Sequence, residues 1–261
     1  MKPIRVFQVD AFTAEPFRGN PAGVVPLESW LDDRTMQSIA AEANMAETAF
    51  FVREPDGWRI RWFTPTVEMD LCGHATLASA AVAFERFEPS ASSITFASRS
   101  GPLTVTRDGD KLSLDFPSRP AKRCDPPAGL AESLGGAMPS ETWASGDLLA
   151  VFDHEDQVRA ITPRFALIRE LPMRGVIATA PGSDVDFVSR FFAPAVGVDE
   201  DPATGSTHTT LIPYWSQRLG RKSLRARQLS ARGGELWLED RGERVKISGN
   251  VVPYLEGMIT V

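Results

Sequence analysis

An internal repeat limits the folds open to this chain more than any other feature of its sequence. Residues 58–80 can be aligned with residues 187–211, with the matches in order and at a nearly constant offset. The aligned pairs are Arg61 with Arg190, Phe63 with Phe192, Pro65 with Pro194 and Asp70 with Asp199, followed by a three-residue insertion that brings Gly73 onto Gly205. Because ordered matches of this kind indicate duplication, the sequence predicts two copies of one α/β unit.

Each copy is predicted to contain the same succession of elements. An alternating strand leads into a Pro-containing loop, a Gly opens a helix, and a β-hairpin with a charged turn follows. The predicted ranges are 59–63 and 186–192 for the strands, 74–87 and 206–219 for the helices, and 101–114 and 234–247 for the hairpins. Further strands are predicted at residues 4–12, 22–26, 48–53 and 175–180, and a helix at residues 31–43 capped by Asp32 or Asp33.

A stretch rich in proline and charge, residues 116–127, is typical of a linker between domains. We therefore predict one domain over residues 1–117 and a second over residues 118–261. The chain length of 261 residues suits two domains of common size.

The composition excludes several classes of protein. With 43% hydrophobic and 24% charged residues the chain has an ordinary globular profile, and its net charge of -6 without a basic run makes nucleic acid or an anionic membrane an unexpected partner. Neither the two cysteines, Cys72 and Cys124, nor the three histidines have the spacing of a metal site. The chain starts as an alternating strand and contains no membrane-spanning run, so we expect a cytoplasmic protein.

Two loops at matched positions precede the repeated helices, DLCGHATLA and DPATGSTHT. A glycine at a helix start lets backbone N–H groups approach a ligand, and the unpaired donors of the first turn favour an anion. The sequence therefore indicates a site for a small carboxylate at these loops. The alternative is that Asp201, Thr204 and Ser206 only cap their helix.

Three side chains near these loops could take part in chemistry. His74 follows Gly73 at a helix start, where the positive potential favours a neutral imidazole. Glu47 has apolar neighbours, and desolvation would raise its pKa toward the range useful for acid/base work, although the side chain could equally cap a turn or face solvent. Cys72 could be an activated thiolate, but we favour a buried, inert thiol, because the matching loop supplies no second cysteine.

Several segments together resemble the PhzF-like phenazine-biosynthesis isomerase family of the diaminopimelate epimerase superfamily. In chain order they are QVDAFT, PFRGNPAGVV, NMAETAFF, FTPTVEMDLCGHATLA, DEDPATGSTHTTLIPYWSQRLG and RQLSARGG, which cover almost the whole chain. The resemblance implies a mixed α/β (α+β) fold of two pseudo-symmetric domains, each with a curved sheet around a central helix. It also implies an active site in the cleft between the domains and a last strand, residues 257–261, that returns to the first domain.

The resemblance further implies residue roles. Glu47 matches the general acid/base of the family, His74 and Asp201 orient or polarise the substrate, and the helix-start residues Gly73, Gly205 and Ser206 bind its carboxylate. The implied reaction is a cofactor-independent isomerisation of the trans-2,3-dihydro-3-hydroxyanthranilate type, without a metal, in a homodimer. One departure is Ala46, where the family often has serine, and this change puts the identity of the substrate in doubt.

Two other functions stay open at this point. An amino-acid racemase or epimerase is permitted by the superfamily, but it generally needs acid/base groups on both faces of the carbon, and Asp201 would have to be the second one. A metabolite-binding protein without turnover is the other alternative. The joint presence of Glu47, His74, Asp201 and Ser206 favours an enzyme over such a binding protein.

Overall fold

The computed structural model describes residues 3–261, so Met1 and Lys2, which the predicted first domain includes, lie outside the described residues. Its strands are β1 (Pro3–Ala11), β2 (Asn20–Leu27), β3 (Glu47–Glu54), β4 (Gly57–Phe63), β5 (Glu68–Met69), β6 (Ser93–Ala97), β7 (Leu103–Asp108), β8 (Lys111–Pro117), β9 (Lys122–Arg123), β10 (Glu141–Ala144), β11 (Leu148–Val151), β12 (Val176–Pro181), β13 (Phe187–Ala193), β14 (Val198–Asp201), β15 (Ser223–Gln228), β16 (Gly234–Asp240), β17 (Arg244–Gly249) and β18 (Val251–Thr260). Its helices are α1 (Asp33–Ala43), α2 (Gly73–Arg86), α3 (Leu130–Ser133), α4 (Glu155–Ala160), α5 (Phe165–Arg169) and α6 (Gly205–Leu219), with a 3-10 turn at Pro194–Val196.

Internal contacts divide the chain into two compact units. The first contains residues 3–115 together with Ser248–Val261, and the second is Phe116–Ile247. The strand β18 belongs to the first unit because it pairs antiparallel with β1 along the length of both strands. The predicted linker contains the end of β8 and the short strand β9.

The first unit is built on one run of paired strands. β1 pairs antiparallel with β2, β2 parallel with β3, β3 antiparallel with β4, β4 parallel with β6, and β6 antiparallel with β7. The helix α1 connects β2 to β3, and α2 follows the β4–β5 hairpin. Parallel pairs require such crossover connections, whereas antiparallel neighbours need only short turns.

The second unit repeats this pattern. β10 pairs antiparallel with β11, β11 parallel with β12, β12 antiparallel with β13, β13 parallel with β15, and β15 antiparallel with β16. The helices α4 and α5 connect β11 to β12, and α6 follows the β13–β14 hairpin. Two units with the same order of parallel and antiparallel pairs confirm the duplication that the sequence predicts.

Each unit contains an ion pair at the equivalent strand, which is β4 in the first unit and β13 in the second. Arg61 binds the two oxygens of Glu68 at 2.7 and 2.9 Å and lies 5.2 Å from the ring of Phe63. Arg190 binds the two oxygens of Glu200 at 2.8 and 2.9 Å and lies 4.9 Å from the ring of Phe192. Each forked pair ties a strand to the short strand that precedes the helix start.

The strand register corrects one part of the predicted alignment. Trp62 pairs with Met69 in the first unit, and Phe191 pairs with Asp201 in the second. Asp201 is therefore the equivalent of Met69, and the alignment of Asp70 with Asp199 is wrong. The forked pairs show that Glu200 is equivalent to Glu68. The three residues inserted in the second unit therefore lie before the acidic segment, at the 3-10 turn.

The predicted elements agree closely with the observed ones. The two repeated helices begin one residue before their predicted starts, at Gly73 and Gly205. Asp32 caps α1, since its carboxylate accepts a hydrogen bond from the Thr35 N–H at 3.0 Å. Both helices are mainly buried, as expected for the central helix of each unit. Among the described residues, no helix is long and apolar enough to cross a membrane.

Candidate active site

Glu47 is the first residue of β3, directly after the turn that ends α1. Its strand neighbour is Ala22 of β2. Side chains alternate along a strand, so Glu47 and Phe51 share one face, while Thr48 and Phe50 share the other. Phe50 packs in the apolar cluster beneath α1, whereas the ring of Phe51 contacts Phe87 at the end of α2. The Glu47 side chain therefore lies on the α2 face and is only 14% exposed.

His74 stands in the first turn of α2 and is buried, with 4% of its side chain exposed. Its Nε2 atom lies 3.4 Å from Oε2 of Glu47. This distance is longer than an ordinary N–H···O hydrogen bond. Catalytic hydrogen bonds are often long before a substrate binds, and the predicted roles of the two groups stay predictions.

Asn20 contacts the other ring nitrogen of His74. Its side-chain amide nitrogen lies 3.2 Å from Nδ1, and the residue is fully buried at the start of β2. An amide N–H that donates to Nδ1 makes this nitrogen the acceptor, which leaves the ring proton of a neutral imidazole on Nε2. The contact therefore selects the tautomer that donates toward Glu47. Sequence reasoning missed Asn20, although it stands in the quoted segment PFRGNPAGVV.

Cys72 is buried and contacts the same side of the imidazole as Asn20. Its Sγ lies 3.6 Å from Nδ1 of His74, and it stands at the N-cap position of α2. The structure confirms that the thiol is buried. Its Sγ also lies within 4.8 Å of a carboxylate oxygen of Glu47.

Glu47, Cys72 and His74 also form the group of possible metal ligands found among residues 3–261, with ligand atoms within 4.8 Å of one another. A metal bound by imidazole lies along the lone pair of one ring nitrogen. Within this group, the contacts of the imidazole are 3.4 Å from Nε2 to the carboxylate and 3.6 Å from Nδ1 to the thiol. The predicted absence of a metal stays a prediction.

The start of α2 has no side-chain cap. The carbonyl of Cys72 accepts from Thr76 twice, from its hydroxyl at 2.5 Å and from its N–H at 3.3 Å. Gly73 is buried at this position. A buried helix start without a cap is a suitable binding site for an anion.

In the second unit, Asp201 stands at the end of β14 and is buried. Its Oδ2 accepts a hydrogen bond from the Thr204 hydroxyl at 2.5 Å. Gln228 of β15 holds this loop, since its amide donates to the Asp201 carbonyl at 2.7 Å and accepts from the Thr204 N–H at 2.8 Å. Gln228 is fully buried and was missed by sequence reasoning, because nothing local in the sequence links it to a loop 24 residues away.

The same loop leads into α6, whose start also has no side-chain cap. The alternative that Thr204 caps this helix with its side chain is therefore wrong, because its hydroxyl binds Asp201 instead. The same alternative for Asp201 and Ser206 is neither confirmed nor contradicted. Gly205 is buried at the helix start and Ser206 is partly exposed. Neither N-cap residue, Cys72 or Thr204, thus bonds the first turn of its helix with its side chain.

His208 lies one turn further into α6 and has a structural role. It is fully buried, its Nδ1 lies 2.7 Å from the Thr204 carbonyl, and its ring is tilted beside Phe187. Burial lowers the pKa of His208 to about 4, although the bond to Thr204 acts in the opposite direction. The residue is therefore neutral near pH 7 and helps to hold the loop.

The predicted site residues thus form two groups. Glu47, His74 and Gly73 lie together in the first unit, and Asp201, Gly205 and Ser206 lie together in the second. That the two groups face each other across a cleft stays a prediction.

Comparisons with known proteins agree with this geometry. The family model described as phenazine biosynthesis-like protein matches residues 9–257. An uncharacterised isomerase of Pseudomonas aeruginosa is 54% identical over 97% of this chain and 97% of its own. The crystal structure of a phenazine biosynthesis protein of the PhzF family from Enterococcus faecalis superposes with a TM-score of 0.96 at 43% identity, covering 100% of both chains.

The chain belongs to the phenazine biosynthesis-like protein family. A probable proline racemase from Agrobacterium radiobacter shares the fold, with a TM-score of 0.65 at 13% identity over 99% of this chain and 93% of that one. The predicted family and the diaminopimelate epimerase-like fold class are thereby confirmed. The predicted enzyme class, isomerase, is the class by which the P. aeruginosa relative is named.

Proposed function

We propose that the chain is an isomerase that moves a proton between two carbons of a small carboxylate, with Glu47 as the acid/base group. One observation supports this above all: Asn20, His74 and Glu47 form a buried line of contacts, at 3.2 Å and 3.4 Å, that ends on the carboxylate. The tautomer that Asn20 selects directs an N–H donor at that carboxylate. Such a line orients Glu47 for proton abstraction.

The step needs no chemistry beyond proton transfer. The Glu47 carboxylate takes a proton from a carbon of the substrate, and the electron pair of the broken C–H bond moves into the adjoining conjugated system. The protonated Glu47 then returns the proton to another carbon of that system, which regenerates the carboxylate and yields an isomer. A positioned base and a polar site that spreads the charge are sufficient for such a reaction, so we propose that it is cofactor-independent.

The substrate carboxylate would bind at the open helix starts. The first turns of α2 and α6 have no side-chain cap, and glycines at both starts leave the backbone accessible. Helix-start N–H groups stabilise an anion with fixed dipoles. Gly73, Gly205 and Ser206 would supply these contacts, and Asp201 would orient a polar group of the substrate. A dihydro-hydroxyanthranilate type of compound, as the resemblance implies, has the required carboxylate and labile C–H.

A racemase or epimerase ranks second. Inversion at one carbon generally uses acid/base groups on both of its faces, as two-base enzymes do. Within this cluster the second group would be Cys72, whose Sγ lies within 4.8 Å of the Glu47 carboxylate. Because each reacting atom lies about 3 Å from the carbon it acts on, two groups this close leave no room for a carbon between them. One acid/base group in this cluster favours transfer between two carbons over inversion at one carbon.

The test is hydrogen exchange with solvent. The protein is incubated in D2O with a panel of cyclic and amino carboxylates that includes dihydro-hydroxyanthranilate, and the mixtures are followed by NMR. We expect deuterium to enter one compound together with rearrangement of its double bonds. An inverted centre without rearrangement would instead establish a racemase.

A surface variant provides the control. Glu132→Gln removes an exposed carboxylate that pairs with Arg164 and should exchange at the wild-type rate. If no compound exchanges although some bind, the proposal is wrong and the chain is a binding protein.

A further inference from the structure

A groove lies on the outer face of the sheet in the first unit, between α1 and β18. We call it the α1–β18 groove, and its volume of about 720 Å³ is within the range of small-molecule sites. Its floor comes from β1, β2 and the start of β3, and its walls come from the helix and the last strand. The apolar side chains that define it are Val6, Val25, Ile39, Leu255 and Ile259.

The floor of this groove contains a buried hydroxyl that has no partner. Thr48 is 1% exposed, and its Oγ1 makes no hydrogen bond within residues 3–261. The adjacent strand residue is Gly23, and a Cβ built there would lie 2.8 Å from that hydroxyl. The Thr48 side chain therefore takes up the space that a side chain at position 23 would need, and Thr48 lines the groove there. An unpaired buried hydroxyl costs free energy that a bound ligand could recover.

The wall formed by α1 has opposite charges at its two ends. Arg34, Ser38 and Glu42 follow one another at four-residue intervals and line the groove. Arg34 forms no ion pair with any residue of the described chain, so its guanidinium is available to an anion. Eight helical residues separate Arg34 from Glu42, a distance of about 12 Å.

From these features we infer that the α1–β18 groove binds an elongated zwitterion, with a carboxylate at Arg34 and an amino group near Glu42. The apolar chain between the two charges would lie on Val25 and Ile39. The amino end would also bind the hydroxyl of Thr48, the second residue of β3. Charge at both ends and an apolar middle distinguish this ligand from a simple fatty acid.

This site differs from the candidate active site. Glu47 and Thr48 are neighbours in β3, and their side chains point to opposite faces of the sheet. A ligand in the groove would contact Thr48 without reaching Glu47. Glu47→Gln should therefore leave binding in the groove unchanged.

The test uses 8-aminooctanoate, whose charges are separated by about the length of two helical turns. Its affinity is compared by titration calorimetry with those of octanoate and octylamine, each of which lacks one charged end. We expect 8-aminooctanoate to bind at least tenfold more tightly than either. Equal affinities for all three probes, or no saturable binding, would overturn the inference.

Two variants locate the probe. Thr48→Val keeps the shape of the side chain and removes the hydroxyl, so it should weaken binding about tenfold or more, the effect of one hydrogen bond to a charged group. Ser38→Trp fills the groove and should abolish binding, whereas Ser90→Trp, at an exposed position outside the groove, should not. Wild-type affinity in Ser38→Trp would place the probe elsewhere and contradict the inference.

Sedimentation of the same variants tests a different occupant. A wild-type dimer that becomes a monomer in Ser38→Trp, and not in Ser90→Trp, would show that a second copy covers the groove. That result would also overturn the inference.

Discussion

Asn20 gives the imidazole of His74 its direction, although it does not contact Glu47 itself. The amide of Asn20 lies 3.2 Å from Nδ1, and this contact fixes the ring proton on Nε2. A family motif can predict a histidine in a site, but its tautomer depends on the residue that contacts the other ring nitrogen. The function of His74 thus rests on a residue 54 positions away in the chain.

Replacing Asn20 should therefore change the tautomer before it changes the fold. In Asn20→Leu we expect kcat to fall about tenfold or more, because one oriented hydrogen bond is lost and a factor of ten corresponds to about 1.4 kcal/mol. NMR of the His74 ring nitrogens should show the proton distributed between Nδ1 and Nε2. Unchanged ring shifts together with a lower kcat would contradict the assignment of Asn20 as a positioning residue.

His208 makes stability depend on pH. Its pKa is lowered by burial from 6.5 to about 4, so the unfolded state binds more protons than the folded state between these values. The contribution of His208 to the free energy of unfolding is fully present above pH 6.5 and is lost as the pH falls toward 4. The loss is about 3 kcal/mol, because each pKa unit corresponds to about 1.4 kcal/mol. In His208→Gln, urea unfolding should show a shallower decline over this window.

The exposed histidine of the chain is the control for this measurement. His154→Gln, at a surface position, should keep the wild-type dependence on pH. If His208→Gln also keeps it, the decline comes from carboxylates, and the role given to His208 is wrong.

Gln228 connects β15 to the loop before α6. Its amide binds Asp201 and Thr204 through three hydrogen bonds, at 2.7, 2.8 and 3.0 Å. Gln228→Met keeps the volume but leaves buried backbone groups unpaired, so the free energy of unfolding should fall by about 3 kcal/mol.

Gln228→Glu provides the matched comparison. It keeps the acceptor for the Thr204 N–H but loses the donors, and it adds charge next to Asp201. We expect it to be at least as destabilised as Gln228→Met. Wild-type stability in either variant, measured by urea unfolding, would show that the loop is held by other contacts.

Sequence reasoning was most accurate for elements with a strong local pattern. The starts of α2 and α6 were predicted within one residue, because a glycine marks each start and an apolar pattern follows it. The short strands β9, β10 and β11 were missed, because strands of two to four residues carry too little alternation to be read. Asn20 and Gln228 were missed for another reason: their partners are distant in sequence, and no local pattern reports such contacts.

The two units share the order of their paired strands and also one ion pair. Arg61 with Glu68 and Arg190 with Glu200 form the same forked contact beside the same strand. The chemistry is not shared, because Met69 stands where the second unit has Asp201. Duplication therefore preserved the framework, while the two helix starts acquired different side chains. The predicted homodimer and the predicted compartment stay predictions.

The first unit depends on the end of the chain. β18 pairs with β1 from Pro3 to Ala11, so the unit contains strands from both ends of the sequence. A chain that lacks residues 251–261 would leave β1 with one unpaired edge and expose part of the apolar core, including Ile4 and Phe7. We expect this truncated chain to be insoluble, or to lose the NMR dispersion of the first unit.

Removal of Val261 alone is the control, because this residue follows the last residue of β18. That variant should fold like the full chain. A truncated chain without residues 251–261 that keeps the wild-type melting temperature would show that the return of β18 is dispensable.

Proton transfer by Glu47 is the basis of the proposed function, and one comparison tests it directly. The compound that exchanges with wild type is incubated in D2O with Glu47→Gln, which keeps the size of the side chain and removes its basicity, and binding is measured in parallel. We predict that exchange falls at least a hundredfold, the lower range for loss of a general acid/base, while binding and melting temperature are retained. Exchange at the wild-type rate in Glu47→Gln would contradict the proposal that this carboxylate carries the proton.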